Sequence, residues 1–156
     1  MQTLIISTGL IFTAYLIYIR LKLGYYPKSI SATFYNFKNL FLITLSIIAT
    51  SLLIYSYNTV DGLPLLSIGA LCLFGVSTFA CFRYKKVSIA HYISAILFFG
   101  FALASIWIDY NNHIGAIITI LIGIGVFVFV YNEVRIFWLE VTLSYCLLLI
   151  LILTLQ

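Results

Sequence analysis

The 156-residue chain is 64% apolar and only 8% charged, with a mean hydropathy of +1.19. Soluble domains carry about a quarter charged residues and roughly half apolar ones, and disordered chains are more polar still, so both classes are excluded. The net charge of +4 rests on eight Lys and Arg in this apolar majority, a poor match to a nucleic-acid interface, and no nucleic-acid partner is expected.

A helix needs about twenty largely apolar residues to cross a hydrocarbon core roughly 30 Å thick. Six runs qualify, at about 4–19, 40–57, 63–82, 88–108, 114–131 and 136–155. They predict an all-α polytopic membrane protein: a six-transmembrane-helix bundle forming one domain over residues 1–156. The alternating ten-residue segments of a membrane barrel are absent. The first run lacks a basic leader and a small-residue cleavage site, so it reads as a retained span. The first connection, Arg20 to Asn39, is the longest. Gly24 through Pro27 breaks the first helix, and Ser29 or Ser31 is placed to cap a new one over 32–38 that runs into the second span. Residues 58–62 and Pro64 form the next turn, and 83–86, 109–113 and 132–135 are the remaining polar connections. The glycines of the fifth run, Gly115, Gly123 and Gly125, read as points of close helix contact.

Charge sets the expected orientation. Arg20, Lys22, Lys28 and Lys38 lie in the first connection, Arg83, Lys85 and Lys86 in the third, and Arg135 in the fifth. All eight basic residues thus share one side, and the positive-inside rule makes that side cytoplasmic, with both chain ends outside (N-out/C-out). The expected location is a multi-pass one, by default in a bacterial inner membrane. Tyr18, Tyr25, Tyr26, Tyr35, Tyr55, Tyr57, Tyr84, Tyr110 and Tyr131 fall near span ends and read as interfacial belts. Cys72, Cys81 and Cys146 lie within spans and read as small packing residues.

Helical spacing places His91, Ser94, Ala95, Phe98, Ala102, Ser105 and Asp109 on one face of the fourth span, with Ile89, Ile93, Ile96, Ala104 and Trp107 opposite. Ser67, Ala70, Phe74, Ser77, Thr78 and Cys81 share a face of the third, and Glu133, Glu140 and Ser144 a face of the sixth. Small and polar stripes of this kind line bundle interiors, so these faces are expected to meet around a central fourth span. His91 and Glu140 then lie near the cytoplasmic surface, level with the Ser29–Tyr35 connection. A His–Glu pair there would be a structural tie, a ligand pocket or a proton relay.

Several chemistries fail on spacing. His91 and His113 are 22 positions apart, about 33 Å of helix, and cannot share a haem or a metal. Asp109 and His113 alone under-coordinate a metal, so no metal site or cofactor is expected. The Gly-x-Ser-Gly turn of rhomboid-type proteases is not met by Gly75-Val76-Ser77-Thr78 and the sixth span has no histidine; no Gly-rich phosphate loop or retinal lysine occurs either. No catalytic residue is assigned.

The run Ser29-Ile30-Ser31-Ala32-Thr33-Phe34-Tyr35 resembles a motif of a family of six-span bacterial and archaeal membrane proteins, distantly similar in layout to the DRAM-type proteins of eukaryotes. The segment His91-Tyr92-Ile93-Ser94-Ala95-Ile96-Leu97-Phe98-Phe99 resembles their histidine-led later span. The resemblance covers about a quarter of the chain. It implies a six-helix fold and a shared feature containing Ser29, Ser31, Tyr35 and His91, but no reaction.

The function expected is that of a lipid-interacting or partner-binding membrane component, with Lys28, Lys38, Arg83, Lys85 and Lys86 facing headgroups. The alternative is a small membrane enzyme or transporter using a cytoplasmic-side pocket of Ser29, Ser31, Tyr35, His91 and Glu140. Expected partners are membrane lipids, with other membrane subunits or further copies of the chain as alternatives.

Overall fold

The computed structural model describes residues 1–80, 85–130 and 134–154, with backbone alone at 85–88. Among them every regular element is helical: α1 (Gln2–Leu23), a 3-10 turn (Ser31–Thr33), α2 (Phe34–Thr59), α3 (Leu65–Phe79), α4 (Lys85–Ile108), α5 (His113–Phe129) and α6 (Arg135–Leu153). Four segments are long and apolar enough to cross a membrane: α1, the continuous stretch Ser31–Thr59, Ile89–Ile108 within α4, and α6. The other two helices, α3 and α5, are shorter, at 15 and 17 residues.

Local chemistry explains the boundaries. Gly24 ends α1 in the left-handed conformation, φ 72°, and its N–H reaches the Arg20 carbonyl. Arg20 and Lys22 lie in that last turn, where the negative end of the helix dipole favours cations. Pro64 stands just before α3, and Asn112 caps α5 by accepting the Gly115 N–H at 2.8 Å. The helix expected over 32–38 does feed into the second span. It begins as the 3-10 turn and then departs from helical geometry at Phe37, whose ring packs edge-on against Tyr18.

Five helices close a ring: α2 packs on α1 and α3, α3 on α4, α4 on α6, and α6 back on α1. α5 lies outside this ring, against α4 and α6, and buries only Ala116, Thr119 and Gly123. Its outer faces stay apolar and exposed, carrying Ile114, Leu121, Ile124 and Phe129 among others.

The closest pair is α3 with α4. A Cβ added at Gly69 would lie 3.3 Å from the Phe98 carbonyl oxygen, and one at Gly75 would lie 2.9 Å from Ser94 Oγ. The absent side chains are what allow these backbones to approach. His91, Phe98, Ala102 and Ser105 are buried on α4, while Ile89, Ile93, Ile96 and Trp107 face outward. On α3, Ser67, Ala70 and Ser77 are buried.

Other expectations need correction. Thr78 is exposed, and its hydroxyl turns back to the Phe74 carbonyl. In the fifth run only Gly123 makes an interhelical approach, 3.2 Å from Leu143; Gly115 lies against its own cap, and nothing stands near Gly125. Tyr55 is no belt residue: it is fully buried and donates to the Leu151 carbonyl at 2.7 Å. Cys72 and Cys146 are free thiols, while Cys81, Arg83, Tyr84, Tyr131 and Glu133 lie outside the described residues.

Replacing Gly69 with Leu forces a side chain into the α3–α4 seam. It is expected to cost about 1–3 kcal/mol, whereas Gly125→Leu should stay within about 0.5 kcal/mol of the parent. Denaturant titration in mild detergent measures both.

Candidate functional site

The segment between α1 and the 3-10 turn is irregular, yet Pro27, Ile30 and Thr33 are buried. Irregular buried backbone must find partners outside itself. The Phe137 N–H at the start of α6 donates to the Lys28 carbonyl at 3.1 Å, and Glu140 Oε2 accepts the Ile30 N–H at 2.6 Å. The cap position of the 3-10 turn is held by Ile30 and not by either serine; Ser29 Oγ, one residue earlier, accepts the Ala32 N–H at 3.1 Å and bonds Ser31 Oγ at 2.9 Å. Thr33 spends its hydroxyl proton on the Ile30 carbonyl, so the Tyr15 hydroxyl donates to Thr33 and ties the turn to α1.

Behind this segment lies a polar cavity of about 260 Å³, lined by Lys28, Ser29, Ser31, Tyr35, His91 and Tyr92, with Ala32, Phe79 and Ala80 completing the wall. Ser29, Ser31, Tyr35 and His91, expected to belong to one feature, do line one space. Residues of the Ser29–Tyr35 segment and of the start of the His91–Phe99 segment thus share its wall. The end of α3 contributes Phe79 and Ala80, α4 contributes His91 and Tyr92, and the segment leading into α2 supplies the rest of the described wall. His91 is buried, with Nδ1 3.0 Å from the Val76 carbonyl of α3.

Glu140 belongs to a different space. A narrow cavity of about 60 Å³ lies inside the ring, lined by Phe12, Phe41, Leu52, Leu73, Phe98 and Leu148 among others, with Glu140 and Ser144 at its polar margin. Ser31 lines both cavities. His91 and Glu140 are therefore not hydrogen-bonded to each other: the imidazole holds a carbonyl on α3, and the carboxylate holds a backbone N–H of the loop. The sequence reading missed these partners, because a backbone carbonyl or N–H leaves no signature in residue type. It also missed Ala32, Phe79, Ala80 and Tyr92 in the wall; Tyr92, next to His91, was the detectable one.

The described basic residues gather at this end. Arg20 stands 4.7 Å from the Tyr26 ring centroid, Tyr26 packs on Phe137 and Trp138, and Arg135 opens α6 just before them. Lys38 lies exposed early in α2; Arg83 and the side chains of Lys85 and Lys86 are outside the described residues. The opposite end is held by polar ties. Asp109 Oδ2 accepts from the Leu65 N–H and the Ser105 hydroxyl, and the His113 ring lies 4.5 Å from that of Trp107. Thr59 donates to the Tyr55 carbonyl, so the Tyr110 hydroxyl donates to Thr59; burial pushes the Tyr110 phenol up and keeps that proton in place.

Glu140→Leu strands the Ile30 N–H and is expected to destabilise the protein by about 1–3 kcal/mol, while Glu140→Gln keeps an acceptor and should lose less than about 1 kcal/mol. Unfolding midpoints of the three proteins in one detergent test the difference.

No protein-family model, curated protein or solved structure matches the chain, so the cavity is read from its own chemistry.

Proposed function

We propose that this protein is a six-span membrane protein with both ends outside, which binds the anionic headgroup of a membrane lipid in the polar cavity at its basic, cytoplasmic end. The observation that carries the proposal is the cavity itself. A lysine, four hydroxyl residues and a histidine line about 260 Å³ of space at the end of the bundle where the described basic residues gather. Membership of the six-span family belongs to the same proposal, supported by the wall that residues of the Ser29–Tyr35 segment share with the start of the His91–Phe99 segment.

Six spans require α3 and α5 to cross as well. At about 1.5 Å per residue they reach roughly 22 and 25 Å, a little short of the core, and local thinning of the bilayer or flanking residues would make up the rest. The eight-to-none distribution of basic residues supports the orientation. The transporter alternative would need polar groups continuing through the ring, but past Glu140, Ser31 and Ser144 the inner cavity is lined by apolar side chains. Binding at one end is the reading this favours over passage.

In a cysteine-free background, cysteines at Lys28 and Lys86 are expected to react only with a reagent that reaches the cytoplasm, and one at Asp61 only from outside. Labelling of positions 28 and 86 from opposite sides would overturn the threading. Lys28→Gln is expected to lower retention of anionic lipid about fivefold, as loss of roughly 1 kcal/mol predicts. Native mass spectrometry of lipid carried through purification reads this, and unchanged retention would overturn headgroup binding.

A further inference from the structure

The carboxylate of Glu140 is only half used. Oε2 accepts the Ile30 N–H at 2.6 Å; the other oxygen makes no hydrogen bond among the described residues, and no described cationic side chain pairs with it. A carboxylate among apolar side chains is costly until a proton or a cation answers its charge.

The wall of the inner cavity favours a cation, and one kind of cation. Four phenylalanines line it together with Glu140: Phe12 of α1, Phe41 of α2, and Phe98 and Phe99 of α4. The face of a phenyl ring carries negative charge density, which attracts a cation and offers an anion nothing. Ser144 lies one turn from Glu140 and donates its hydroxyl proton to the Glu140 carbonyl at 2.7 Å, so its oxygen keeps acceptor capacity. A hard metal ion asks for about six oxygen ligands, whereas only Glu140, Ser31 and Ser144 are polar among the described lining residues. An organic ammonium needs fewer acceptors, and its carbon suits an apolar wall.

We infer that the interior of the ring is a second binding site, and that its ligand is a small primary alkylammonium, with its N–H groups toward Glu140 and Ser144 and its carbon among the phenylalanines. An apolar cavity of about 150 Å³ takes benzene, so one of about 60 Å³ has room for roughly two to four heavy atoms, the size of methylammonium or ethylammonium. The inference stands apart from the headgroup reading, because the two cavities share only Ser31.

The test uses the full chain in mild detergent, titrated with isotopically labelled methylammonium chloride and followed by the methyl resonance. That resonance is expected to move upfield, as a group held against phenyl faces does, and to saturate with a midpoint of about ten millimolar, the limit for two heavy atoms. Labelled methanol has the same number of heavy atoms and no charge, and should bind about tenfold more weakly. Glu140→Gln keeps an acceptor for the Ile30 N–H, removes the charge, and should lose the saturable shift. Phe98→Leu should weaken binding about threefold, and covers the case in which the Gln variant does not fold.

No saturable shift in the parent, equal binding of methanol, or full binding by either variant overturns the inference. Displacement of methylammonium by an equal concentration of potassium chloride also overturns it, by assigning the carboxylate to inorganic cations. Retention of anionic lipid, measured on the same samples, tests the headgroup cavity separately.

Discussion

Backbone polar groups removed from water must be bonded by something, and a helix meets that demand internally. The stretch from Gly24 to Ile30 cannot, because Gly24 turns left-handed and the chain stays irregular until Ser31. Its groups are met from elsewhere: a backbone N–H of α6 for the Lys28 carbonyl, the Glu140 carboxylate for the Ile30 N–H, and Tyr15 of α1 for Thr33. A carboxylate within an apolar helix is costly, and here it finds a peptide donor rather than a cation. These ties hold the segment over the end of the ring, and the polar cavity exists because the segment is held there.

The rest of the site depends on how closely helices approach. Gly69 and Gly75 let α3 and α4 touch along their backbones, which brings the Val76 carbonyl within reach of His91. The imidazole is thereby held by Nδ1 on the scaffold, in the tautomer that donates there, and the residue forms part of the cavity wall. A bulkier α3 would push α4 outward and dissolve that relation without altering any cavity residue. α5, outside the ring, takes no part in either cavity lining described.

Polar residues were legible because they are scarce. In a chain with so little charge, Ser29, Ser31, Tyr35 and His91 stand out, and depth along the spans put them at one level. Glu140 stood out equally but was matched to His91 by depth alone, and depth says nothing of direction around the bundle. The two residues point into spaces that share only Ser31. Tyr55 misled for a related reason: proximity to a span end suggested an interfacial ring, whereas its hydroxyl found the Leu151 carbonyl, and burial followed.

Hydropathy, charge and turn chemistry add up residue by residue, so the sequence alone determined that the protein is helical and apolar, which stretches form the helices to within a few residues, and on which connections the basic residues sit. Which helix neighbours which, and so which backbone group answers which side chain, depends on contacts between residues as far apart as Ile30 and Glu140. Those contacts carry no local signal, because every peptide presents the same donor and acceptor whatever its side chain. The polar cavity, the tautomer of His91 and the displacement of α5 from the ring were decided there, in the packing.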